Sequence, residues 1–194
     1  MRLIVAITGS SGAIYGIRLL EALRGVSKVE THLILSKSGK LTAALETGWK
    51  AKDIEKLAHQ VHSDQDLAAS ISSGSFRTAG MIVAPCSMKT LSGIVHSYAD
   101  NLVVRAADVV LKERRTLVLM PRETPLHVGH CRLLLQAAEM GAVIAPPMPA
   151  FYNAPRTLED AVDHSVGRVL DLFDIDSALV RRWQGTKGTK KYSK

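Results

Sequence analysis

The chain is poor in thiols, aromatics and long apolar runs. Of its 194 residues only Cys86 and Cys131 are cysteine, and no C-x-x-C occurs. Two distant thiols build no disulfide framework, so a reduced, cytoplasmic setting is expected. Phe, Trp and Tyr together make up 5%, too few for a surface that stacks single-stranded nucleic acid. No apolar run approaches the roughly 18–20 residues of a membrane span. The N-terminus enters an apolar strand at once, and no signal peptide is expected. Acidic residues are missing from Thr186–Lys194, which hold four lysines; without them the net charge of +7 falls to +3. That tail has little apolar surface to bury and is expected to be disordered and solubilising. A body at +3 suits local anion binding better than the coating of a nucleic acid.

What is present is an α/β pattern. Hydrophobic content of 46% is enough for a core, and the length suits one domain over residues 1–185. Strands are expected at Leu3–Ile7, Glu30–Leu35, Gly80–Ala84, Thr116–Met120 and Ala142–Ala145. Helices are expected at Ala13–Leu23, Lys37–Leu45, Asp53–His62, Leu91–Tyr98, Leu102–Arg114, Gly129–Met140 and Leu158–Phe173. Strands joined through helices imply right-handed crossovers, hence a doubly wound, mostly parallel sheet covered on both faces. The Pro-rich run Ala145–Ala150 suits neither helix nor strand.

In such a sheet, ligands bind beyond the carboxyl ends of the strands. Thr8–Gly12 follows the first strand, and its Gly/Ser turn opens a helix whose positive end suits an anion. Its glycines, at 9, 12 and 16, make neither G-x-G-x-x-G nor a P-loop. N-capping by Ser10 or Ser11 is the plainer reading; three glycines behind an apolar strand favour anion binding. Ser36-Lys37-Ser38 ends the second strand. Pro85-Cys86-Ser87-Met88-Lys89-Thr90 ends the third, where Ser87 either caps a helix above a solvated Lys89 or joins it on a phosphate. Cys86 has no base placed beside it and reads as a buried structural thiol. Arg122 and Glu123, between Pro121 and Pro125, read either as an Arg–Glu surface pair or, favoured by the rigid flanks and the strand-end position, as a phosphate ligand and a proton donor. Arg105 and Lys112 share a helix face that either carries phosphate ligands or, as charge runs usually are, is simply solvated. His127 and His130 are spaced i, i+3, but no third ligand completes a metal set. The Ser/Gly segment Ser70–Ser75 reads as either a flexible linker or a second donor-rich cradle.

Taken together, several segments resemble the UbiX/Pad1 family of flavin prenyltransferases, once described as small subunits of aromatic acid or polyprenyl-hydroxybenzoate decarboxylases. They are Thr8-Gly9-Ser10-Ser11-Gly12-Ala13, Leu45-Glu46-Thr47, Ser72–Phe76, Pro85–Leu91, Arg105–Val109, Leu111–Arg114, Pro121–Leu126 and Pro146–Tyr152. The resemblance runs from Leu3 to about Gly185. Ser10 departs from it, standing where Ala is common. It implies a Rossmann-like or flavodoxin-like flavoprotein that joins the dimethylallyl group of dimethylallyl phosphate to N5 and C6 of reduced FMN. Phosphate would leave, and prenylated FMN would serve a UbiD-type decarboxylase in ubiquinone synthesis or aromatic acid breakdown. No metal is implied, and the assembly would be a trimer-based homo-oligomer, often a dodecamer.

By the same resemblance Gly9, Ser10, Ser11, Ser36, Ser87, Met88, Lys89, Thr90 and Arg122 would hold FMN. Arg105, Lys112, Arg122, Tyr152 and Arg168 would surround the prenyl phosphate. Glu123 would protonate it, and Ser11 and Glu46 would move protons beside the flavin ring. Two alternatives stay open. A flavin-dependent cysteine decarboxylase would need a catalytic His near the flavin, whereas His59 and His62 lie in a charged stretch. A non-catalytic FMN-binding subunit would not need Glu123 or Lys112.

Overall fold

The structure, a computed structural model, describes residues 1–180, 182, 183 and 185. The expected tail, 186–194, lies outside them. Among the described residues six parallel strands form one sheet: β1 (Arg2–Ile7), β2 (Glu30–Leu35), β3 (Gln60–His62), β4 (Gly80–Cys86), β5 (Thr116–Pro121) and β6 (Val143–Ile144). Their spatial order is β3-β2-β1-β4-β5-β6. The chain winds outward from β1 in one direction and from β4 in the other, so the switch point lies between those two strands.

Among the described residues seven α-helices cover the sheet: α1 (Ala13–Arg24), α2 (Lys37–Glu46), α3 (Ala51–Glu55), α4 (Met88–Val95), α5 (Leu102–Lys112), α6 (Val128–Glu139) and α7 (Leu158–Asp171). The period-2 alternation of β1 decides which strand residues meet which helices. Leu3, Val5 and Ile7 point into a core shared with α1, α2, α3 and α7. Ile4 and Ala6 point into a second core built with α4, α5 and α6. Both faces are therefore dry, and β1, β4 and β5 read as nearly continuous apolar runs.

Two expectations need correction. The stretch Asp53–His62 is not one helix. α3 ends at Glu55, and Gln60–His62 forms edge strand β3, with His62 opposite Ile34 of β2. The strand is three residues long and mostly exposed, so it carries no buried alternation for sequence reading to detect. Pairing with β2 creates it. The first turn of α4 also begins earlier than expected, at Met88, because the Ser87 hydroxyl accepts the Thr90 amide at 3.2 Å and caps it.

The glycines of the opening motif do different work. Gly12 adopts φ 100° at the N-cap of α1, a conformation that costs an L side chain. Gly16 lies where α1 crosses the sheet. A Cβ there would overlap the Ala84 carbonyl oxygen and the Ile7 side chain. Gly9 abuts Ser38, tying the first turn to the second.

Candidate active site

The turns after β1, β2, β3 and β4 enclose an open cleft of about 910 Å³. Thr8 fastens two of them. Its buried hydroxyl donates to the Pro85 carbonyl at 2.7 Å and accepts the Ser87 amide at 2.9 Å. Ser36 caps α2 by accepting the Gly39 amide at 3.0 Å. Ser87 caps α4 and sits 3.0 Å from the Thr90 hydroxyl. The N-termini of α2 and α4 thus flank the cleft, with Lys37 and Lys89 among its lining residues. Positive helix ends, hydroxyls and ammonium groups make a phosphate environment.

Sequence reading missed Asp64 and Gln65, which also line the cleft. Asp64 accepts the Lys37 amide on its carboxylate at 3.2 Å and the Leu102 amide on its carbonyl at 2.8 Å. Both residues follow β3, so locating that strand would have located them by the strand-end rule.

The start of α1 differs from expectation. Its amides do not face an open anion site. Glu46, at the end of α2, accepts the Gly12 amide at 2.7 Å and the Ala13 amide at 3.4 Å. Burial acts to raise the Glu46 carboxyl pKa, but the Ser11 side chain, these two amides and Arg122 outweigh it and hold it below the usual carboxylate range. The Arg122 Nε donates to the Ser11 carbonyl at 3.1 Å. Ser11, Glu46 and Arg122 therefore form one charged cluster, two residues along the same turn from Gly9 in the cleft. The Ser10 hydroxyl is buried in that turn without a hydrogen-bond partner. An orphaned donor there fits a ligand that supplies an acceptor. Glu123, next to Arg122, is exposed and accepts only the Thr124 amide, at 3.1 Å.

The remaining phosphate candidates are not united within one chain. On α5, Arg105 donates to the Ser72 carbonyl at 3.2 Å and pairs with Asp108 at 2.8 Å, while Lys112 pairs with Glu113 at 2.6 Å. On the other side of the sheet, Tyr152 stands 3.4 Å from His164 of α7, and Arg168 pairs with Asp171 at 2.8 Å. None of the four lines the cleft. The segment Ser70–Ser75 is no linker: Ser70–Ser72 is a short 3-10 turn, and Arg115 donates to the Gly74 carbonyl at 2.7 Å.

Other candidates resolve plainly. Cys86 is fully buried, which pushes its thiol up to about 12, so it is no nucleophile. His59 is 2.9 Å from the Thr31 hydroxyl, and His62 is 2.9 Å from His32. Among the described residues no three His, Cys, Asp or Glu side chains gather as a metal set, and no helix is long and apolar enough to cross a membrane.

Comparison with known proteins agrees with this architecture. The Flavoprotein family model matches residues 1–181. The flavin prenyltransferase UbiX of Salmonella typhimurium is 61% identical over 186 residues, covering 95% of this chain and 98% of its own. The crystal structure of a dodecameric FMN-dependent UbiX-like decarboxylase from Escherichia coli O157:H7 superposes with a TM-score of 0.94 at 57% identity, covering 95% of this chain and 100% of that one. That of AnUbiX (PadA1) in complex with FMN and dimethylallyl pyrophosphate gives 0.93 at 52% identity, with 95% and 97% covered. The parallel sheet, the strand-end cleft and identity along nearly the whole length place this chain in the flavin prenyltransferase family of UbiX type.

Proposed function

We propose that the protein transfers the dimethylallyl group of dimethylallyl phosphate to N5 and C6 of reduced FMN. The observation that carries this reading is the cleft, where hydroxyls, two lysines and two helix N-termini converge beside the Ser11–Glu46–Arg122 cluster. Gly9, Ser10, Ser11, Ser36, Ser87, Met88, Lys89, Thr90 and Arg122 hold the flavin nucleotide. When bound, the reduced flavin supplies an electron-rich nucleophile. The chain's own task is to position the donor, exclude water and neutralise the leaving phosphate.

Breaking the allylic C–O bond leaves charge on phosphate. Arg122, Arg105, Lys112, Arg168 and the Tyr152 hydroxyl offset that charge, and Glu123 hands the phosphate oxygen a proton. Glu46 is held ionised by its neighbours, so its carboxylate takes up the proton released after alkylation, with the Ser11 hydroxyl beside it. Arg105 and Lys112 lie on α5 against one core, and Arg168 lies on α7 against the other. They meet on one phosphate when copies of the chain assemble. A trimer-based homo-oligomer is therefore part of this proposal, supported by the dodecameric relative. Prenylated FMN would then serve a UbiD-type decarboxylase in the cytoplasm. No observation favours a cysteine decarboxylase, since His59 and His62 are engaged with Thr31 and His32.

The test is anaerobic incubation with reduced FMN and dimethylallyl phosphate, followed by mass analysis of the flavin. A flavin heavier by one dimethylallyl group is expected. Unmodified flavin recovered from folded, FMN-loaded protein would overturn the reading. A parallel reaction with the diphosphate tells which donor is used.

A further inference from the structure

His127 and His130 belong to no metal set, yet they are not idle. His127 is the N-cap of α6, with φ −97° and ψ 169°. Its Nδ1 accepts the Gly129 amide at 3.0 Å and the His130 amide at 3.4 Å. Ser, Thr, Asp and Asn are the usual residues at this position. An imidazole serves only with a bare Nδ1, which puts the ring proton on Nε2. The His127 ring lies 3.7 Å from that of His130, centroid to centroid, at a tilt of 32°. Gly129 makes room for it: a Cβ there would come within 2.8 Å of His127 Cε1 and 3.0 Å of Nδ1. Residue 129 must be small because residue 127 caps with a ring.

This cap closes a short connection. Between the last residue of β5 and the first of α6 lie only Arg122–His127. The connection is held at its start by Arg122, whose amide donates to the Cys86 carbonyl at 3.4 Å and whose Nε donates to the Ser11 carbonyl. It is held at its end by the His127 cap. Glu123 lies between, with its carboxylate bonded only to the next residue's amide. The Glu123 side chain is thus tied to no other segment, and the course of its connection decides where the carboxylate points.

We propose that His127 is a positioning residue for prenyl transfer: by capping α6 through Nδ1 it fixes where the Glu123 connection ends, and so where the Glu123 carboxyl stands. This rests on the proton-donor role proposed for Glu123. Loss of a side-chain cap corresponds to about a fivefold change in a two-state equilibrium. His127→Ala is accordingly expected to lower kcat measurably, by up to about fivefold, while leaving FMN affinity within about twofold. His127→Ser and His127→Asn, which restore an oxygen acceptor, are expected to recover most of the loss.

Three measurements test it. Amide hydrogen exchange at Gly129 and His130 is expected to quicken in His127→Ala and slow again in His127→Ser. The nitrogen chemical shifts of His127 are expected to report an unprotonated Nδ1. In a Glu123→Gln background His127→Ala is expected to cost no further rate, because the residue acts through Glu123. An equal loss in both backgrounds, or a His127→Ser variant that restores exchange protection but not rate, would overturn the proposal. A wild-type protein that transfers no dimethylallyl group would instead overturn the function on which it rests, and the exchange data would still report the cap.

Discussion

The Glu46 carboxylate accepts the Gly12 amide at 2.7 Å across 34 residues of sequence, so the N-terminus of α1 is capped by the last residue of α2. An internal anion occupies the place where the opening motif suggested a phosphate. The capped helix N-termini that face the cleft are those of α2 and α4. Glu46→Ala removes the bond and the charge that faces the helix dipole. It is expected to lower the unfolding free energy by about 1 kcal/mol, read by urea denaturation. The carboxyl is held below its usual value, so this stabilisation is complete above the ordinary carboxylate range and is lost as pH falls through the depressed value.

Glu123→Gln keeps the size of the side chain and removes its proton. Adduct formation is expected to slow by at least about tenfold, with FMN affinity unchanged. Mass-resolved time courses under single-turnover conditions measure both. Unchanged turnover would remove Glu123 from the donor role.

Gly16 tests the packing reading of the motif. It touches no proposed ligand, and α1 meets β1 and β4 at its bare Cα. Gly16→Ala is expected to cost about 2 kcal/mol or more through overpacking, seen as a lower denaturation midpoint. A variant as stable as the parent would show that α1 can move outward freely.

His32 and His62 give the sheet edge a pH dependence. Their rings stack at 5.2 Å, tilted 11°, on neighbouring strands. Burial lowers both pKa values; His62 further lowers that of His32 while Glu30 opposes, and Asp66 opposes the shift of His62. The unfolded chain therefore binds protons more readily, and the stabilisation, full above the ordinary value of about 6.5, is lost as pH falls through the depressed values. The melting temperature is expected to drop as pH falls below about 6.5, and His62→Gln is expected to flatten that slope. An identical slope in the variant would remove the pair from the acid response.

Much of the fold was legible because both faces of the sheet are buried. The strands β1, β4 and β5 are almost wholly apolar, β2 ends in the apolar run Leu33–Leu35 behind a buried Thr31 and His32, and α1 and α7 carry clear 3.6-residue periodicity. β3 was illegible because its residues are exposed, and their extended form comes from pairing with β2 rather than from a pattern of their own. Missing that strand also hid Asp64 and Gln65. The site was legible where it is local: Ser87 and Thr90 sit three apart on a helix start, and Arg122 follows directly from β5. It was illegible where distant segments meet. No spacing rule links Thr8 with Pro85, Glu46 with Gly12, or His127's ring with the absent Cβ of residue 129.

The sequence by itself determined the strand–helix alternation, the buried strands, and the Ser, Lys and Arg residues at their carboxyl ends, because periodicity and turn chemistry act over a few residues. Tertiary structure decided which helix ends face the cleft, which one Glu46 already serves, and that Arg105 and Arg168 lie over opposite faces of the sheet. Those outcomes depend on crossovers that carry each helix over one face or the other, a choice made by packing across the whole domain and not by neighbouring residues.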